Sequence, residues 1–170
     1  MREFAISSGS ATATTGLTVA GASTLIFVNP AAAPNVNIEF LRFSIGQAAN
    51  ATSAQQRVQL VSQVTVFPTL VSATPRKMKL ADPNVSVIVG GVAGAAGTCG
   101  INASAEGAGA KSTMENVDDT FNVLNGYLYL PTVAETIVVP AGFASGIGLW
   151  FPTAPTTLTG WNWASVYREV

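Results

Sequence analysis

Histidine is absent from this 170-residue chain, and cysteine occurs once, at position 99. Without histidine the commonest general base and the commonest transition-metal ligand are both missing. A Ser-His-Asp triad and the usual His-bearing zinc sites are excluded with it. A single thiol cannot close an intrachain disulfide, so the fold does not depend on one. Cys99 reads as a small apolar or loop residue, since it lacks a histidine to activate it.

Charge is scarce too. Charged residues make up 10% of the chain, with 8 Lys and Arg against 9 Asp and Glu and a net charge of −1, where an ordinary soluble domain carries about 25%. Nucleic-acid binding needs a basic face. The only basic cluster, Arg76, Lys77 and Lys79, reads as a solvated turn before a strand, so no nucleic-acid partner is expected. The acids cluster once, at Glu115, Asp118 and Asp119. They read as a solvated turn before a strand at 121, with a loose calcium site as the alternative because hard cations need several oxygens. No metal or other cofactor is expected. Gly90-Gly91 and Gly94 to Gly100 are not followed by Gly-Lys-Ser/Thr and do not make a phosphate loop. The sequons at Asn50, Asn84 and Asn102 read as chance matches.

Long apolar runs are missing. Nothing approaches the roughly 20 residues of a membrane span, and Met1-Arg2-Glu3-Phe4 does not open a signal peptide. No amphipathic helix of ten residues is visible, and Ser53 to Arg57 offers one turn at most. The expectation is a non-enzymatic protein made in the cytoplasm, with no membrane partner.

What is present is strand-and-turn grammar. Apolar residues are 48% of the chain. They fall in short runs rich in Val, Ile, Thr and aromatics, broken by Gly, Pro, Asn and Ser. Alternation of apolar and polar residues marks half-buried strands. It predicts strands at Phe4–Ile6, Thr12–Thr15 continuing through Leu17 and Val19, Thr24–Val28, Ile38–Ile45, Arg57–Phe67, Val85–Val89, Asn116–Leu130, Thr136–Val139, Ser145–Phe151 and Trp161–Tyr167. In the fourth of these runs Leu41, Phe43 and Ile45 are expected inside. The fold class predicted is all-β: a single-domain antiparallel β-sandwich over residues 1–170, jelly-roll-like, of about eight to ten short strands. Residues 90–112 are nearly all Gly, Ala and Ser and read as a loop or insertion, the alternative being a small-residue strand packed on a neighbouring subunit.

The Gln55-Gln56-Arg57-Val58-Gln59-Leu60 run, the Val139-Pro140-Ala141-Gly142 turn with Ser145-Gly146, and Thr/Ala/Val strands with Gln and Asn outward carry one resemblance. In this style the chain resembles small bacteriophage capsid-decoration (cement) and head-auxiliary proteins. The resemblance implies a jelly-roll-like sandwich on the capsid exterior, often a trimer, with the major capsid protein as partner. A low-charge surface gives weak self-repulsion and independently suggests a homo-oligomer. The assembly surface expected from polar patterning is Gln55, Arg57 and Gln59 with the last strand, Trp161, Trp163 and Tyr167. Two other functions stay open. One is a receptor- or carbohydrate-binding module using Trp150, Trp161, Trp163, Tyr127, Tyr129 and Tyr167, side chains that equally suit a core. The other is a jelly-roll capsid subunit, disfavoured because Arg2 alone does not make a basic arm.

Overall fold

A computed structural model of the chain describes residues 2–8, 17, 21–30, 36–49, 52–155 and 157–170, the side chains of 115 and 116 excepted. The expected strand at 12–15 with its continuation at Val19, the sequon at Asn50 and the carboxylate of Glu115 lie outside the described residues.

Thirteen strands are described: β1 Arg2–Ser7, β2 Ser23–Asn29, β3 Ile38–Gln47, β4 Gln55–Val64, β5 Thr69–Ser72, β6 Arg76–Lys77, β7 Val89–Gly90, β8 Thr98–Ala105, β9 Lys111–Asn122, β10 Tyr127–Tyr129, β11 Ile137–Val139, β12 Ser145–Phe151 and β13 Trp161–Glu169. They form two sheets. One runs β10-β3-β13-β1-β6, with β11 also on β3; the other runs β5-β8-β2-β12-β4-β9, with β7 also on β8. β10 and β11 pair successive stretches of β3, Phe43–Ile45 and Ile38–Phe40, so together they fill one strand position.

Four antiparallel pairs are nested: β4 with β9, β3 with β10 and β11, β2 with β12, and β1 with β13. This is one long hairpin. It is rolled so that β3 also meets β13 and β4 also meets β12, the strand order of a jelly roll. The β-sandwich expected from the sequence is therefore present. The strand count exceeds the expected eight to ten because the β4–β9 connection carries four further strands, β5 to β8.

Alternation explains the first sheet. In β1, Phe4 and Ile6 point inward. In β13 the inward set is Trp161, Trp163, Ser165, Tyr167 and Glu169. β3 departs from the expected phase. Phe40 lies opposite Tyr167 and Arg42 opposite Val166, leaving Leu41 as an extra residue. This bulge switches the face: Ile38 and Phe40 before it and Phe43 and Ile45 after it are buried, and Leu41 is only half-buried.

At β2 the second sheet is covered on both sides. All seven residues of β2 are buried. Leu25, Ile26 and Val28 join the inner core, whereas Phe27 joins a second cluster with Leu70, Ala103 and Phe67. Phe27 can lie flat across β12 because Gly146 and Gly148 stand beneath it. A methyl at Gly146 would overlap its ring, and one at Gly148 would come within 3.2 Å.

The 90–112 stretch is thus not a loop throughout. Its middle is β8, paired antiparallel to β2 and β5 and parallel to β7. Small residues are required by close backbone approach: a Cβ at Gly100 would sit 2.7 Å from Leu70 Cβ and 2.8 Å from Gly91 O. The alternative of a small-residue strand gains support, but its neighbours are this chain's own β2 and β5.

Candidate functional site

The six side chains expected to form an assembly surface do not share one. Gln55 and Arg57 are exposed on β4, but Gln59 is buried. Arg57 makes a two-pronged bond to Asp118 across the strand pair, Nε to Oδ1 at 2.8 Å and Nη2 to Oδ2 at 2.7 Å. Gln59 Nε2 also donates to Asp118, at 3.1 Å. The guanidinium beside it holds the Asp118 carboxyl below the usual carboxylate range. Asp118 and Asp119 therefore sit within β9 and not in a turn before it, and Asp119 accepts the Tyr127 hydroxyl at 2.9 Å. Among the described residues no group of three His, Cys, Asp or Glu side chains is arranged to hold a metal.

Trp161, Trp163 and Tyr167 are core residues, which corrects their assignment to a surface. Trp161 stands edge-on to Phe151 with centroids 5.0 Å apart, and its Nε1 donates to Thr157 O at 2.7 Å. Tyr167 is 0% exposed, between Phe4 and Phe40. The mechanism is plain: inward-facing aromatics in a strand look the same in sequence as an aromatic binding face. Trp150 alone points outward, partly covered by Lys111, whose Nζ lies 5.4 Å from the ring centroid.

The surfaces left open are elsewhere, at the two ends of the first sheet. At one end is β10–β11 with the turn joining them. Leu128, Leu130 and Val138 are exposed, and Val133, on a 3-10 turn over Val133–Glu135, is 97% exposed. Glu135 fastens this turn by accepting from Thr132 Oγ1 at 2.9 Å and Thr132 N at 3.3 Å.

At the opposite end, beyond β1, lie β6 and the segment up to β7. Here Met78, Leu80, Val85, Val89 and Val92 are exposed, Leu80 at 94%. Val85 and Val89 belong to the wall of a cavity of about 220 Å³, together with Phe4, Pro75, Lys77 and Ile88. The basic cluster of the sequence is on this rim. Arg76 and Lys77 form β6 and pair with Ala5 and Phe4, a short charged strand that blunts the sheet edge. Lys77 Nζ donates to the backbone carbonyl of Asp82 at 2.7 Å.

A buried latch fixes the cavity wall. Ser86 Oγ donates to Glu169 Oε1 at 2.6 Å, and Val87 N donates to the same oxygen at 2.9 Å. The Tyr167 hydroxyl then donates to Ser86 Oγ at 2.8 Å, and Ile88 N donates to it at 3.0 Å. One donor and two acceptor sites exhaust a serine hydroxyl. Ser86 has no lone pair left for a nucleophilic role, and the arrangement acts as a clasp. The other Glu169 oxygen faces Arg2 Nη2 at 3.3 Å, an ion pair without hydrogen-bond alignment. Burial pushes the Tyr167 hydroxyl well above its ordinary range and the Cys99 thiol up to about 12, so neither ionises near neutrality.

Neither the latch nor the cavity was legible in the sequence. Ser86 and Glu169 are 83 residues apart, and no motif links them.

Comparison with protein-family models, with curated proteins and with solved structures finds no match. The functional argument therefore rests on the surfaces just described.

Proposed function

We propose that this chain is a non-enzymatic structural part of a virion, a decoration protein that binds the exterior of a bacteriophage head. The observation that carries the reading is the presence of two unlike apolar surfaces at opposite edges of one rigid sheet. Three strands, β3, β13 and β1, lie between them, so four strand spacings separate them, roughly 20 Å. Exposed apolar patches mark interaction sites, and two of them on opposite edges suit a part that bridges neighbours. The jelly roll is a scaffold of viral shells as well as of lectins. The test is co-sedimentation of the protein with heads of the phage that encodes it, followed by heating of decorated and bare heads. Binding with a raised rupture temperature supports the reading; protein that stays in the supernatant overturns it.

A second reading, a jelly-roll capsid subunit, is favoured by the strand order. Closed shells formed by the purified protein alone would establish it over decoration. The carbohydrate-binding reading loses its main candidates, because Trp161, Trp163 and Tyr167 are buried.

A further inference from the structure

We propose that the two ends of the first sheet bind each other between copies: Val133 of one chain enters the cavity beside β6 of the next, and Glu135 pairs with Lys77. The inference rests on the reading of the chain as an assembly part and names the partner as a second copy of itself.

Three observations carry it. The first is shape. Val133 is the most exposed large apolar side chain among the described residues, at 97%, and it stands on a turn pinned by Glu135 and Thr132. The cavity, about 220 Å³ with walls of Phe4, Pro75, Val85, Ile88 and Val89, is the complementary recess. It exceeds the roughly 150 Å³ of an apolar cavity that accepts benzene, so a valine side chain fits with room for part of Leu130. The clasp of Ser86 on Glu169 and Tyr167 holds the recess open before any partner arrives.

The second is charge. Lys77 bonds a neutral carbonyl, and among the described residues no carboxylate lies within ion-pair distance of it. Glu135 lies two residues beyond Val133. Its Oε2 is engaged by Thr132, whereas its Oε1 takes no hydrogen bond among the described residues.

The third is extent. Met78 and Leu80, which follow the cavity residue Lys77 in the chain, are exposed, as are Leu128, Leu130 and Val138 in and beside the strands either side of the knob. A free small molecule filling the recess would leave both sets wet, whereas a second copy covers both. The two surfaces differ, so the contact is head-to-tail and repeats until it closes a ring or runs on as a chain.

The experiment is light scattering after size exclusion, on the full chain and on surface variants. The expected result is a concentration-dependent assembly of the wild type. Val133→Asp should weaken it at least about 30-fold, as for a contact hot spot, with an unchanged circular-dichroism spectrum. Lys77→Glu should weaken it about tenfold, and adding Glu135→Gln, which keeps an oxygen for Thr132 and removes the like charge facing the new acid, should recover part of that loss. The decisive mixture combines Val133→Asp, which keeps its recess, with Val89→Trp, which fills the recess and keeps its knob. Each alone should be monomeric, and together they should form a dimer and nothing larger. A wild type that stays monomeric at high concentration would falsify the contact, as would Val133→Asp that still assembles or a mixture that does not pair. Attachment to heads is read separately by co-sedimentation, so failure here leaves the decoration reading standing on its own test.

Discussion

The two sheets have the same strand order logic and opposite surroundings. The outer side of β1, β13 and β3 is half-exposed, with Glu3, Ala5, Ala164 and Ser44 facing out. The outer side of β2, β12 and β4 is covered by the chain's own β4–β9 connection. There Gln63, 0% exposed, donates to Val66 O and Glu106 O, and Glu106 in turn accepts from Thr24 N and Thr24 Oγ1 at 2.6 and 2.7 Å. A sheet with one wet face keeps apolar alternation; where both faces are dry the polar residues that remain are hydrogen-bonded, as Gln63 and Thr24 are, and glycine appears where a neighbour lies close.

The difference can be broken at Phe27, the side chain that glues the cover to the second sheet. Phe27→Ala should cost about 3–5 kcal/mol, the usual range for emptying a buried aromatic site, read as a lowered urea midpoint. The same comparison sharpens at two strand glycines. Gly146→Ala drives a methyl into the Phe27 ring and should cost about 1–3 kcal/mol. Gly46→Ala, in β3 of the other sheet, meets nothing within 4 Å and should stay within about 0.5 kcal/mol of wild type. Equal effects at the two glycines would show that the cover is not packed.

Alkali should loosen the second sheet first. Burial raises the Cys99 thiol on β8 from an ordinary 9.0 to about 12. The folded chain therefore keeps a proton that the unfolded chain releases. The stability this contributes is full below about pH 9 and is lost as pH rises toward 12. Tyr127 and Tyr167, raised by burial from 10.0, shift the balance the same way at higher pH. Urea midpoints measured from pH 8 to 11 should fall, and Cys99→Ala should flatten the part of the fall between about pH 9 and 10. The smallest effect is expected at Arg57. Its pair with Asp118 is half in solvent, so Arg57→Ala should leave the urea midpoint almost unchanged.

Legibility follows the same division. Phe4 and Ile6, Ile147 and Leu149, and the boundaries of β12 and β13 were readable from alternation. In β3, Phe43 and Ile45 were legible as inward, and Leu41 alone was misread because the bulge there adds one residue. Residues 98–105 read as a loop because glycine's entropy cost is visible in sequence and the closeness of Leu70 is not. The aromatic strand 161–167 was legible as a strand whose side chains suit a core as well as a surface, and the sequence alone does not decide between the two. The exposed Val133 and the recess beside Lys77 carry no sequence mark at all, since a valine at a turn and a valine in a wall are spelled alike. Limited proteolysis with a protease of broad specificity distinguishes the two pictures of the glycine-rich stretch: proteinase K should cut first near Leu80, in the exposed tip, while 98–105 stays intact.

The nesting of the four strand pairs also sets an order in time. The innermost pair, β4 with β9, closes first in sequence distance, whereas β1 must wait for β13, from which it is separated by more than 150 residues. On the ribosome β1 thus has only the two residues of β6 to pair with until β13 has emerged, and its other edge stays open. Contacts so distant fold slowly and leave strand edges open to other chains in the interval. A chain built to crowd beside its own copies would have most need of a chaperone at that stage, before the roll is shut.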